Sequence, residues 1–144
     1  MNRVSLITAV LLCGCSDVIP FSGGVLTGTP AAAPADWTEA ARPDVVQLET
    51  RPGDPYSVKL WVIGLGPALY VHAGANRATW VEHIDDNPDV RLLIGDALYE
   101  LRAIRVNDPQ EFEAFSNAYE IKYGRRPRNE NVAEAYLFRL EARG

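Results

Sequence analysis

Cysteine is nearly absent from this chain: there are 2 in 144 residues, Cys13 and Cys15, and none follows them. That excludes a disulfide-stapled scaffold, a thiolate zinc site and a cysteine nucleophile from everything after residue 15. Histidine is as scarce, with only His72 and His83, and neither a metal-ligand spacing nor a Ser-His-Asp set can be assembled around them. Basic residues are outnumbered, 14 against 19 acidic, and the net charge of −5 argues against a nucleic-acid-binding face. Long apolar runs are missing as well, since the stretch 4–12 is too short to cross a bilayer as a permanent helix. What is present, 47% hydrophobic and 23% charged residues, is the composition of one globular domain with a tail.

The tail has its own pattern. Arg3 supplies a positive start and residues 4–12 (VSLITAVLL) a short apolar segment. Leu12-Cys13-Gly14-Cys15 then resembles the bacterial lipoprotein box, with Cys15 as the lipidated residue; bulky Leu12 before Cys13 excludes the other choice. The resemblance implies a signal peptide over residues 1–14 and palmitate-type acyl chains on Cys15, which anchor the protein in a membrane. An ordinary signal peptide or a buried first helix are the competing readings. Ser16 after the Cys, by the same resemblance, favours the outer membrane or periplasmic face over the cytoplasm. Asn2-Arg3 is no twin arginine, so export is expected as an unfolded chain, without a cytoplasmic cofactor. Residues 15–36, rich in Gly, Pro and Ala, read as a flexible tether, and 37–144 as the domain.

Within that domain, Asp36-Trp37-Thr38-Glu39 has capping-box spacing and predicts a short helix stopped by Pro43. Residues 45–50 (VVQLET) alternate as a strand, and 56–63 with 68–72 read as a hairpin turned by Gly64-Leu-Gly-Pro67. A helix begins near Thr79, with Glu82 completing a second capping box, and ends at Asn87-Pro88. Strands 90–94 and 97–106 flank Gly95-Asp96, a two-residue turn; Ile104 and Val106 imply a bulge or burial on both faces. Asp108, Pro109 and Glu111 open the clearest helix, whose stripe Phe112, Phe115, Tyr119, Tyr123 reads as core and which Gly124 closes. A strand over 135–141 ends the chain. Antiparallel strands, short connections and a helix across an opening predict a mainly β, α+β fold: a Greek-key split β-barrel of about six strands with two or three helices.

Several of these residues form a recognisable set. Trp80-x-x-x-Ile84-x-x-Asn87-Pro88-x-Val90, then Ile94-Gly95, Tyr99, Ala103 and Val106, resembles the deazaflavin-dependent nitroreductases. These belong to the split β-barrel superfamily together with the FMN-binding pyridoxamine 5'-phosphate oxidases. The resemblance implies a homodimer with FMN or deazaflavin F420 at its interface, and an oxidoreductase-like activity; a split barrel that binds another small ligand or a partner without catalysis is the alternative. In the oxidases a T-N-x-x-S-R-K loop grips the flavin phosphate. The corresponding loop here is His72-Ala73-Gly74-Ala75-Asn76-Arg77-Ala78, with Arg77 on the family's arginine and Ala78 in place of its lysine.

His72, Gly74, Asn76 and Arg77 are therefore the residues expected at the phosphate end of a cofactor, with Lys59 and Trp80 beside them. Arg77 fits an anion site at a helix entrance, and fits equally an ion pair with Asp85 or Glu82. Lys59 or Arg51 would add the second cation if the fold brings either near. Trp61 and Trp80 can stack a planar ring or fill a core. Arg125, Arg126 and Arg128 read as complements to a helix dipole or a solvated edge. No residue is assigned to catalysis.

Overall fold

The computed structural model describes residues 23–74 and 77–144. Eight strands and two helices follow in the order β1 (Thr29–Ala31), β2 (Val45–Thr50), β3 (Tyr56–Trp61), β4 (Ile63–Leu65), β5 (Ala68–His72), α1 (Thr79–Asp86), β6 (Asp89–Ile94), β7 (Ala97–Arg105), α2 (Pro109–Tyr123) and β8 (Leu137–Ala142). Seven strands form one antiparallel path, β3-β2-β6-β7-β8-β5-β4, and β1 lies parallel to β7. The ends of that path are halves of a single run of chain, because only Val62 separates β3 from β4. At this bend the chain changes partner from β2 to β5, so the sheet curls into a half-barrel. The strand count exceeds the expected six because the 56–63 segment serves two ladders and the tail adds β1. The hairpin partner of residues 56–61 is β2; only the short β4 pairs with β5 around Gly66-Pro67.

A bend takes backbone groups out of both ladders, and buried polar groups need replacement partners. The last turn of α2 provides them. Tyr123 Oη accepts from Val62 N–H at 3.0 Å and donates to the Asp44 carbonyl at 2.7 Å. Lys122 Nζ donates to the carbonyls of Ala41, Pro43 and Val62 at 2.8, 2.8 and 2.9 Å. Burial pushes the Tyr123 phenol up to about 12, so it keeps the proton that it donates. The helix thus fixes the corner of the barrel beside which the cleft described below opens.

α2 forms as its sequence dictates. Asp108 accepts from Gln110 N–H at 2.9 Å, Pro109 occupies the first turn, and Gly124 closes the helix at φ 75°. Glu111 does not complete a capping box; its carboxylate instead takes the Tyr70 hydroxyl at 2.9 Å and the Arg139 guanidinium, a stronger charged partner. Phe112, Phe115 and Tyr119 are buried against Ile63, Tyr70 and Leu137, making one core cluster. The other fills the curl of the sheet with Leu48, Leu69, Val81, Leu92, Leu101 and Phe138 among its members. α1 starts at Thr79 as expected, but its N-cap is Ala78 and no side chain caps it. β7 shows no bulge: its ladder with β8 is continuous from Leu101 to Arg105, and the broken alternation reflects burial on both faces.

Residues 23–36 are the main departure from expectation. They are not a free tether but lie across the sheet. Gly23 bridges Ser57, Leu26 is buried with its N–H on Glu49 Oε2 at 2.6 Å, and β1 extends the ladder at β7. Trp37 is buried and meets the Tyr99 ring edge-on at 5.0 Å. The predicted helix there is one turn, Ala41 N–H to Trp37 O at 2.8 Å; Pro43 leaves no room for a second. This strap passes so close to β4 that a Cβ on Gly64 would lie 2.6 Å from the Trp37 carbonyl oxygen and 2.7 Å from Ala41 Cβ. Gly64→Ala is therefore expected to lower stability by about 1–3 kcal/mol in denaturant melts. An unchanged midpoint would show that the strap is not seated there. Residues 1–22, with Cys15 and its expected lipid, lie outside the described residues.

Candidate ligand-binding site

Three elements meet beside the bend. β3 carries Lys59 and Trp61, two positions apart and so on one face of the strand. β5 ends at His72 and leads through Ala73 to Gly74, whose φ of 77° turns the chain away. α2 contributes Tyr119, and the segment after Gly124 contributes Arg125 and Arg128. With Val45, which pairs with Trp61 across β2 and β3, these residues line an open cleft of about 560 Å³.

Its wall is aromatic. Trp61 is the partly exposed tryptophan, at 36%, whereas Trp37 at 2% and Trp80 at 3% are buried. One face of the Trp61 indole stacks on Tyr123 with centroids 4.2 Å apart and planes 11° from parallel. The Arg125 guanidinium lies over the ring at 5.3 Å. His72 meets Phe115 and Tyr119 edge-on at 5.2 and 5.1 Å. Burial among those rings pushes its imidazole down to about 4. At neutral pH His72 thus offers one donor and one acceptor nitrogen and no charge. Burial also raises the Tyr119 phenol, against the opposing pull of Arg125 and Arg128, so it too is a neutral hydrogen-bonding group.

The charge of the cleft stands out against the rest of this acidic chain. Among the described residues, Arg42, Arg51, Arg77, Arg91, Arg102, Arg126, Arg139 and Arg143 each lie within salt-bridge distance of a carboxylate. Arg105 and Lys122 are held by backbone carbonyls. Lys59, Arg125 and Arg128 are the basic side chains left without a carboxylate or carbonyl partner, and all three line the same cleft.

The expected site residues divide. Lys59, His72 and Gly74 are brought together here. Arg77 is not among the lining residues and pairs with Asp85, the competing reading of its position. Trp80 is buried in the core with its ring 5.7 Å from Phe138, so an indole expected beside a cofactor serves as packing instead. Asn76 lies outside the described residues. Arg51 sits by α1, 3.5 Å from His83 Nε2, and not at the cleft. Arg125, Arg128, Tyr119 and Val45 were not expected. The available signal was three arginines in four positions after Gly124, more than a helix end needs. Only Arg126 behaves as a helix-end complement, bound to Glu113, Glu120 and Glu130.

No family model matches the chain, and no curated protein matches it. Several solved structures share its fold. One from Bacteroides thetaiotaomicron, described as a 5-nitroimidazole antibiotic resistance protein, superposes with a TM-score of 0.56 at 13% identity, over 72% of this chain and 75% of that one. A Listeria innocua protein described as a pyridoxamine 5'-phosphate oxidase gives 0.55 at 19%, over 70% and 85%. An F420 reductase gives 0.51 at 18%, over 77% of this chain and 95% of its own. These are split-barrel proteins, and the chain has the split-barrel fold. At such identities the likeness is one of fold.

Proposed function

We propose that the cleft binds a planar cofactor of the flavin class, FMN or deazaflavin F420, and that the domain is an oxidoreductase-like split barrel. The observation that carries this reading is Trp61, a partly exposed indole backed by Tyr123, beside three cations that no carboxylate among the described residues reaches. A planar anionic ligand satisfies both features: its acidic tail neutralises the cations and draws the Arg125 guanidinium off the indole, and its ring takes the face so freed. The split-barrel neighbours described as an F420 reductase and an oxidase support the same class. When bound, such a cofactor supplies the hydride chemistry. The chain's own residues bind and orient it: Trp61 holds the ring plane, and neutral His72 and Tyr119 offer hydrogen bonds to its polar edge. The Cys15 anchor, the envelope location and the homodimer belong to the same proposal and are supported by sequence resemblance alone.

One observation favours a second reading. Arg77 is tied to Asp85 and Ala78 stands where the oxidases have lysine, so the cofactor loop is not furnished in the usual way. A non-catalytic barrel that holds a small anionic ligand would look like this. Titration of the purified protein with FMN and with F420 tests the first reading. We expect a rise in melting temperature and visible absorbance that survives gel filtration. No shift and no retained absorbance at millimolar ligand would sink it. A bound cofactor that no hydride donor reduces would favour the second.

A further inference from the structure

We infer that Lys59, Arg125 and Arg128 form a clamp for a phosphate group at the mouth of the cleft, so that its ligand is a phosphorylated planar molecule. This rests on the cleft's being the planar-ligand site, and it places the anion end on the segment after α2 and not on Arg77, which pairs with Asp85.

Four consecutive residues show how the clamp is built. In Arg125-Arg126-Pro127-Arg128, the second arginine is consumed structurally: its guanidinium takes Glu113 at 3.0 Å, Glu120 at 3.4 Å, Glu130 at 2.5 Å and the Asn117 side-chain oxygen at 3.0 Å. Pro127 is buried, and its ring fixes the backbone φ. The segment is therefore pinned at its centre, while the flanking guanidiniums at 125 and 128 reach the cleft. Pinning lowers the entropy lost when those two side chains close on a ligand. Lys59 comes from β3, a different element, so the three cations line the cleft from two parts of the fold and not from one helix face.

Like charges gathered without counter-ions repel one another, and a multivalent anion between them removes that cost. The chain has carboxylates to spare, 19 acidic against 14 basic residues, yet among the described residues none reaches these three. A phosphomonoester carries about two negative charges at neutral pH and three acceptor oxygens, matching three donors from two directions. A single carboxylate matches fewer. Arg125 lies over the Trp61 ring, so the phosphate draws its guanidinium off the indole towards Arg128 and Lys59, and the ring of the ligand packs on Trp61 in its place.

Calorimetric titration of the full chain at low salt, with FMN, riboflavin and inorganic pyrophosphate, separates ring from phosphate. We expect FMN to bind at least about tenfold tighter than riboflavin, with an advantage that shrinks as salt rises. In R125A/R128A the FMN affinity falls by the whole of its advantage over riboflavin, so that the two flavins bind alike, while the circular dichroism spectrum is unchanged. Arg77→Ala leaves all three ligands unaffected. Lys59→Gln, a single exposed change on β3, lowers FMN affinity several-fold and serves if the double variant misfolds. Equal affinity for FMN and riboflavin would overturn the clamp and leave the cofactor reading standing. Pyrophosphate binding that R125A/R128A abolishes, with no binding of either flavin, would support the clamp and overturn the cofactor reading. Binding of none of the three would overturn both. Attachment to phosphatidylglycerol vesicles, with FMN and pyrophosphate both ignored, would also overturn the clamp and assign its cations to a lipid surface.

Discussion

Replacing Glu49 with alanine is expected to lower the melting temperature by about 10 °C and to open residues 23–36 to protease. Glu49 lies on β2 at 4% exposure and is the centre of the strap's attachment. Its carboxylate takes Arg91 Nε at 2.7 Å and Nη2 at 2.8 Å in a two-pronged pair, and the Leu26 N–H at 2.6 Å. Arg91 also donates to the Leu26 carbonyl at 3.1 Å, so both polar groups of that residue are met. Burial alone would raise the Glu49 carboxyl; the Arg91 and Leu26 hydrogen bonds outweigh it, and the group is held below its usual range. Alanine leaves a guanidinium and an N–H without their partner, and breaking such a pair costs about 3–5 kcal/mol. Arg91 is a quarter exposed and recovers some hydration, so the lower end applies, about 3 kcal/mol. For a domain of this size that is roughly 10 °C. Unchanged melting and unchanged proteolysis would mean that residues 23–36 are the free tether their composition suggests.

The second large effect is acid destabilisation through His72. Its folded pKa is about 4 against an ordinary 6.5, because the neutral ring is buried against Phe115 and Tyr119. Between those values the unfolded chain binds the proton and the folded one does not, so stability falls as pH falls. The loss begins near pH 6.5 and reaches about 3 kcal/mol by pH 4, where it levels off. The lowered carboxyls, Glu49 and Asp36, titrate below their ordinary values and contribute at the acid end of that range and beneath it. The interval from pH 6.5 to 5 therefore belongs mainly to His72. His72→Gln, which cannot be protonated, should flatten urea-derived stability across it. A slope that persists in the variant would show that the proton binds elsewhere.

What could be read in the sequence was what local chemistry specifies. Asp108-Pro109 and Gly124 bracket α2 because caps act within one turn, and Gly95-Asp96 joins β6 to β7 because a two-residue turn needs a positive φ. The barrel itself followed from strand order and from the resemblance around Trp80–Val90. The strap did not, because Gly, Pro and Ala carry no periodicity; two anchors, Leu26 and Trp37, and a carboxylate 23 residues beyond Leu26 hold it down. Nor did the bend at Val62, which exists because Lys122 and Tyr123 arrive from 60 residues away to satisfy it.

The candidate site was legible in half. Lys59, His72 and Gly74 were anticipated from their strands. Arg125 and Arg128 were not, since nothing in the run Arg125-Arg126-Pro127-Arg128 tells which guanidinium a neighbouring helix will consume. Only the folded arrangement shows Arg126 claimed by three carboxylates and its neighbours left over. Arg77 shows the converse: a cation in a promising loop whose charge is spent on Asp85, one helical element away.

On the proposed reading, ligand binds in the cleft of Trp61, His72 and the post-α2 arginines. Amide chemical-shift mapping on the ¹⁵N-labelled protein titrated with FMN tests it most directly. We expect perturbations concentrated at Lys59, Trp61, His72, Gly74, Arg125 and Arg128, with little change along α1. Perturbations concentrated at Arg77–Asp85 and α1, with the cleft silent, would contradict it.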